Sequence, residues 1–190
     1  MYDIIFISYN ESNAEENFAI LKKRFPLSKR VDGVKGIHQA HVAAAKKSFT
    51  NMFWVVDGDA QILDTFDFNY EVPKDQLDHV HVWRSRNPIN GLEYGYGGVK
   101  LLPKNLTLQM DISTLDMTTS ISNKFKTMPE VSNITVFNTD AFSTWRSAFR
   151  ECVKLSSRSI DRQNHQETLE RLDTWLTFYR DWETDRKSVV

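Results

Sequence analysis

The alternation of elements in residues 2–57 constrains the fold more than any other feature of this chain. Tyr2–Ser8 (YDIIFIS) has the length and β-branched content of a buried strand. Ala14, Phe18, Leu21 and Phe25 then recur at helical spacing, and Pro26 ends that helix. Ser12 and Glu15 stand at capping-box spacing, which predicts the helix start there. Lys29–Asp32 reads as a short second strand. A second helix follows from Ile37 to about Phe49, its small residues Ala40, Ala43 and Ala44 suited to close packing. Met52–Val56 (MFWVV) completes the series as a third strand. Strand, helix, strand, helix, strand predicts parallel strands, right-handed crossovers and helices on the sheet faces.

That order lines up three polar strand ends: Ser8-Tyr9-Asn10, Asp32 and Asp57-Gly58-Asp59. The carboxyl edge of an open α/β sheet is where ligands bind. Asp57 and Asp59 share one face if strand geometry persists, and Gly58 between them leaves room for close approach. Two carboxylates on one side suit Mg²⁺ or Mn²⁺, which take one or two carboxylates plus substrate phosphates. Such a metal would neutralise a diphosphate leaving group. Asp-Gly is also a common turn dipeptide, so a strand ending in a polar turn is the alternative.

Beyond residue 57 the pattern is less regular. His79–Trp83 alternates like a strand, Val99–Leu102 is a short apolar run stopped by Pro103, and Val131–Phe137 is another strand candidate. The last third is helical: Asp140–Leu155 carries Phe142, Trp145, Phe149, Cys152 and Val153 near one stripe. Gln166–Phe178 carries Leu169, Leu172, Trp175 and Leu176. No repeat or low-complexity linker is visible, so one domain over 1–180 is expected.

The chain has 190 residues, enough for a sizeable core, and a net charge of -1, so no global basic field advertises nucleic-acid binding. The single cysteine, Cys152, excludes an intramolecular disulfide and fits a reducing compartment. No apolar run approaches the about 18 residues that span a bilayer, and with no basic region or cleavage site at the first strand no signal peptide is expected. A cytoplasmic location, the host cytoplasm for a viral protein, is expected.

Together these residues resemble the GT-A-fold nucleotide-sugar glycosyltransferases of the DxD type. The first strand with Ser8-Tyr9-Asn10-Glu11 looks like the "YNE" opening common there. Val31-Asp32-Gly33, Gly36–Ala45 and Phe53–Ala60 are similar to its base-binding acidic residue, small-residue helix and DxD strand. The order Asp32-Gly33, Ala40-His41, Asp57-Gly58-Asp59-Ala60 is also similar to the lipopolysaccharide-type galactosyltransferases. Gly97-Gly98-Val99-Lys100-Leu101-Leu102 looks like the later Gly-Gly strand facing the donor sugar. The C-terminal helices look similar to segments of glycosyltransferase-like proteins of tailed phages.

The resemblance implies a Rossmann-like, mostly parallel α/β sheet flanked by helices, with a helical C-terminal part. It implies transfer of a sugar from a nucleoside-diphosphate donor, a UDP-sugar above others, to a glycan or a modified DNA base. Mn²⁺ or Mg²⁺ would be held by Asp57 and Asp59. Ser8, Tyr9, Asn10, Asp32, Lys35, Asp57, Gly97 and Gly98 would bind the donor, with Asp32 accepting from a uracil imide and Tyr9 stacking on the base. The chain departs from the pattern in lacking an obvious Glu-Asp pair for the catalytic base; Glu93, Asp111 and Asp116 are the carboxylates left as candidates. A nucleotidyltransferase using the same metal logic, and a non-catalytic binding or virion-associated module, are the rival readings.

Several weaker features complete the picture. His79 and His81 share a strand face but lack a third ligand, so a half-buried strand is the simpler reading. His38 and His41 share a helix face, His41 either facing the donor pocket or packing on the sheet. Arg84–Gly98, with two arginines, two tyrosines and four glycines, reads as a long functional loop beside the metal site. The segment 181–190 reads as non-native: Asp185–Val190 matches the in-frame translation of a common sequencing adapter, which suggests a truncated metagenomic fragment.

Overall fold

The computed structural model describes residues 1–95, 97–114, 116–157 and 164–187, the last ten of these by backbone alone. Tyr96 and residues 188–190, the end of the tail read as foreign, lie outside the described residues. The chain divides into two compact units, Met1–Arg86 with Glu93–Val136 and Asn87–Leu92 with Phe137–Val190.

The first unit opens as the alternation predicts: β1 (Asp3–Ser8), α1 (Ala14–Arg24), β2 (Lys29–Asp32), α2 (Ile37–Lys47) and β3 (Met52–Asp57). Strand β1 pairs in parallel with both neighbours, Ser8 opposite Asp32 and Ile7 opposite Asp57. The helix α1 starts at Ala14 with Asn13 before it and no side-chain cap. Ser12 therefore lies one residue outside the cap position, and Glu15, the expected reciprocal partner, ion-pairs with Arg30 at 2.6 Å.

The rest of the unit adds β4 (Ala60–Ile62), a 3₁₀ turn at Lys74–Gln76, β5 (Val80–Arg86), β6 (Glu93–Tyr94), β7 (Val99–Pro103), α3 (Lys104–Gln109), α4 (Met117–Ile121) and β8 (Phe125–Thr135). The strands form one eight-stranded mixed sheet in the order β2-β1-β3-β7-β5-β8-β4, with β6 beside β5. The first three strands are parallel; β7 runs antiparallel to both β3 and β5. Arg84 and Arg86 are not loop residues, because β5 continues through them and pairs with β6. The expected long loop over 84–98 is therefore mostly a hairpin. Its turn is closed by Asn87 N–H donating to Leu92 O at 2.8 Å, and by Asn87 Oδ1 accepting from Ile89 N–H at 2.9 Å. The last strand begins at Phe125, six residues before the apolar signal at Val131, where Lys126, Pro129 and Glu130 hide the alternation.

Two cores sandwich the sheet. On one face Ile4, Phe6, Trp54, Val56, Val99 and Leu101 pack with α1 and with Phe66 and Phe68. Trp54 and Trp83 stand 4.5 Å apart there, and edge-to-face contacts join Trp54 to Phe66 and Phe68. On the other face Ile5, Phe53, Val55, Val80 and Leu102 pack against Ala44 and Ala45 of α2. The alternation of β3 thus assigns Asp57 to the α2 face and, through its parallel partner, Ser8 to the α1 face.

In the second unit, α5 (Ala141–Ser156) is capped by Asp140, whose carboxylate accepts from Ser143 N–H at 2.9 Å. It packs with α6 (His165–Lys187), and Arg171 reaches Glu151 at 2.6 Å. Leu155 and Trp175 are buried, whereas Phe142, Trp145, Phe149 and Val153 remain exposed along α5.

Candidate functional site

The register of β1 puts the three strand ends together at one edge, as the sequence order requires. On the α1 face, Ser8 Oγ donates to Asp32 Oδ1 at 2.5 Å. Arg30 Nη2 reaches the same oxygen at 3.0 Å, its Nε donates to Ser8 Oγ at 2.9 Å, and its Nη1 holds Glu15. The guanidinium lies against the Phe6 and Phe18 rings. The hydrogen bond from Ser8, then the charge and hydrogen bond of Arg30, hold the Asp32 carboxyl below its usual range. Gly33, at φ +68°, donates to Ser8 O at 3.1 Å and turns the chain into the loop before α2. Lys35 and Asn10 are exposed; Tyr9 is exposed too, its backbone N–H donating to Glu11 Oε2 at 2.8 Å.

The α2 face is built differently. Both oxygens of Asp57 accept from Lys100 Nζ at 2.9 Å, and the ammonium also donates to Gly97 O. The Lys100 side chain is 5% exposed. Asp57 N–H donates to Gly98 O at 2.9 Å, which locks the end of β3 to the start of β7. A Cβ on Gly98 would lie 2.8 Å from Asn133 Nδ2, and Gly97 sits at φ +73°, so both glycines answer a structural demand. Asn133 is itself buried and held by Ser132 and Thr135.

Gly58 turns the chain from β3 to β4 against Glu11: a Cβ there would approach Glu11 Oε2 at 2.7 Å. Asn17 Nδ2 fixes the Gly58 carbonyl at 2.9 Å. Asp59 follows, half-buried. Burial, then the negative charges of Asp57 and Glu11, push its carboxyl up to about 7, against the Lys100 charge. His41 of α2 is fully enclosed. Its Nδ1 faces Ile37 O at 2.8 Å, and its Nε2 has no hydrogen-bond partner among the described residues. Burial, then the Lys100 charge, hold this imidazole down to about 3, so it is neutral.

The candidate bases are each engaged locally. Asp116 caps α4, accepting from Thr119 N–H at 2.9 Å and Thr118 Oγ1 at 2.6 Å. Burial opposes these bonds, yet the carboxyl stays below its usual range. Asp111 closes a turn with Ser113. Glu93 pairs with Arg86 at 2.8 Å. His81 is buried in β5, its Nε2 3.4 Å from Gln76 Oε1, while His79 faces Asp78 at 2.8 Å. Among the described residues no group of three His, Cys, Asp or Glu side chains is arranged to hold a metal by itself.

Sequence reasoning gave no role to Lys100, Glu11, Asn17 or Asn133, all of which shape the edge. Lys100 had a visible signal, a lysine inside the otherwise apolar run Val99–Pro103, all of it buried. Asn133 had none: it lies in the expected strand Val131–Phe137, but its place against Gly98 depends on a long-range packing that no local pattern encodes.

No family model matches the chain, and no curated protein matches it. Among solved structures it is similar to HddC from Yersinia pseudotuberculosis complexed with GMP-PN, at TM-score 0.51 and 12% identity, over 79% of this chain and 99% of that one. A glycosyltransferase involved in the glycosylation of the major capsid of PBCV-1 aligns at TM-score 0.39 and 13% identity, over 66% of this chain and 82% of that one. A putative glucose-1-phosphate thymidylyltransferase from Bacillus anthracis, in complex with a sucrose, aligns at TM-score 0.46 and 15% identity, over 85% and 78%. The first likeness shows a shared Rossmann-like α/β fold.

Proposed function

We propose that this chain transfers a sugar from a nucleoside-diphosphate donor bound at the carboxyl edge of β2, β1 and β3. The observation that carries the reading is the gathering of Ser8, Asp32 and Asp57 at that edge by the parallel register of β1, β2 and β3, with Lys100 added by the antiparallel strand β7 and Asp59 by the turn after β3. Asp32, anchored by Ser8 and Arg30, presents an ionised acceptor suited to a base imide N–H. Tyr9, exposed beside it, is free to stack on the base. A UDP-sugar is therefore the first donor to try, with a GDP-sugar second.

A divalent cation fits the second half of the site. The raised Asp59 carboxyl marks negative charge crowded among Asp57, Asp59 and Glu11, which a hard cation would relieve. Asp59 is the open carboxylate; Asp57 would join a metal only by exchanging Lys100 for it. Bound Mn²⁺ or Mg²⁺ would supply charge neutralisation for a departing diphosphate. The protein's own part is to fix the diphosphate between Lys100 and the Gly97-Gly98 backbone and to hold the base at Asp32. An inverting reaction needs a carboxylate to take the acceptor proton. Glu93, whose Oε1 is held by Arg86, is the candidate that serves neither a turn nor a cap, unlike Asp111 and Asp116. A glycan or a modified DNA base is the proposed acceptor.

Nucleotidyl transfer is the second reading, favoured by the fold shared with a protein solved with GMP-PN. One assay separates the two. The chain is incubated with UDP- and GDP-sugars and with nucleoside triphosphates plus sugar phosphates, with and without Mn²⁺. Release of nucleoside diphosphate supports sugar transfer, pyrophosphate supports nucleotidyl transfer, and neither product points to a binding module.

A further inference from the structure

We infer that Asp57 and Asp59 have separate tasks: Asp57 holds the Lys100 ammonium, and Lys100 carries a protein-borne positive charge to the diphosphate of the bound nucleotide. The inference rests on the reading of this edge as a nucleoside-diphosphate site.

All five residues of β7 are buried, and Lys100 is the charged one among them. It stands opposite Val55, its cross-strand partner, on the face where Phe53 and Leu102 pack against α2. A lysine at such a position usually extends its head to water. Here the head is instead tied down by three acceptor oxygens, Asp57 Oδ1, Asp57 Oδ2 and Gly97 O. Gly97 reaches this position through its positive φ, and Gly98 through the absence of a Cβ against Asn133. The pair is closed on the lysine side and part-open on the aspartate side, at 5% and 35% exposure, and buried ion pairs are often replaceable by hydrophobic residues without loss. Stability alone therefore does not require a charged pair here.

The surroundings say what a charge does here. Asp57, Asp59 and Glu11 crowd negative charge at the turn after β3, and a diphosphate brought there would be repelled. Lys100 is the cation bonded into this group. An ammonium is a compact point charge suited to phosphate oxygens, and His41 beside it stays neutral and leaves Asp57 to it. On binding, the Lys100 bond to Gly97 O gives way to a phosphate oxygen while Asp57 keeps the ammonium in place. Asp59, with no lysine on it, is left for the divalent ion.

The test is the affinity of UDP and GDP for the full chain, by calorimetry, in EDTA and in Mn²⁺. The parent, Lys100→Met, Lys100→Arg and Asp59→Asn are compared, each checked for a cooperative thermal transition. The inference predicts that Lys100→Met weakens binding about tenfold or more in both EDTA and Mn²⁺, as loss of a charge-assisted hydrogen bond would. Lys100→Arg recovers part of that loss, and Asp59→Asn removes the increment due to Mn²⁺ without weakening binding in EDTA. Lys100→Met binding as tightly as the parent would overturn the inference and leave the donor-site reading standing. So would a loss confined to the Mn²⁺ increment, since Asp57 would then be a metal ligand. If the folded parent binds neither nucleotide in either condition, the donor-site reading itself falls, and the inference with it.

Discussion

Two polar clusters occupy the same edge on opposite faces of one sheet, and they differ in how far water reaches them. On the α1 face the carboxylates of the Ser8–Arg30–Asp32–Glu15 cluster are open, Asp32 being 55% and Glu15 83% exposed at the side chain. On the α2 face Asp57 is 35% and Lys100 5% exposed at the side chain, and the ammonium bonds to Asp57 and Gly97. Exposed pairs contribute little to stability because water replaces a lost partner. A closed pair has no such substitute, so its geometry is set before any ligand arrives. The open cluster is thus suited to adapting to a base, the closed one to presenting a fixed charge.

The largest expected effect breaks the closed cluster. Asp57→Ala strands the Lys100 ammonium and should destabilise the chain by about 2–4 kcal/mol, whereas Asp32→Ala should change stability by less than about 1 kcal/mol. Urea denaturation measures both, and equal losses would erase the contrast. Replacing the pair together, Asp57→Leu with Lys100→Met, should return stability to within about 1 kcal/mol of the parent. Nucleotide binding should not return with it. A double variant as unstable as Asp57→Ala would mean that the pair itself stabilises the fold.

The third prediction concerns Asp59. Burial and neighbouring negative charge raise its carboxyl to about 7, so the folded state holds this proton more tightly than the unfolded chain does. Its contribution is favourable at low pH and is lost as pH rises from about 4 to about 7. Asp59→Asn should remove that slope and gain about 1–2 kcal/mol near pH 8, allowing for the part-exposed side chain. Denaturation midpoints at about pH 5 and pH 8 check it; the same slope in both proteins would contradict it. Cation affinity at Asp59 should fall below about pH 7 for the same reason.

The smallest effect belongs to His41, held down to about 3. Here the unfolded chain takes the proton first, so stability is lost as pH falls from about 6.5 toward 3. His41→Gln should flatten that slope, by about 1 kcal/mol near pH 5.5. The His41 and Asp59 slopes oppose each other in the parent and separate only in the variants. An unchanged slope in His41→Gln would show the imidazole to be charged in the folded protein.

The same contrast explains what could be read from the sequence. The edge was legible because β1, β2 and β3 are local units whose apolar runs and turn residues end near the same register. Asp32 fell beside Ser8 for that reason. The division of the edge into two faces follows from strand parity, and it separates Asp32 from Asp57 although both lie at the same end. Lys100 needed the antiparallel pairing of β7 with β3, a long-range contact that no local pattern encodes. Arg84 and Arg86 were misread as loop because β6 is only two residues long and its pairing alone extends β5. The early part of β8 was hidden by its charges and by a register shift opposite Trp83 and Arg84. Ser12 and Glu15 had the right spacing for a cap, but Ser12 lies one residue outside the cap position and Arg30 holds the glutamate.

The most direct test of the central claim is to map where a nucleoside diphosphate and its metal sit. Backbone amide NMR of the full chain is followed during titration with UDP and Mg²⁺, then with traces of Mn²⁺ to broaden nearby resonances. The account predicts UDP shifts at Tyr9, Gly33 and Gly98, and Mn²⁺ broadening centred on Gly58 and Asp59. Shifts clustered at the opposite end of the same strands, around Asn51 and Lys104, would contradict it, as would broadening that leaves Asp59 untouched.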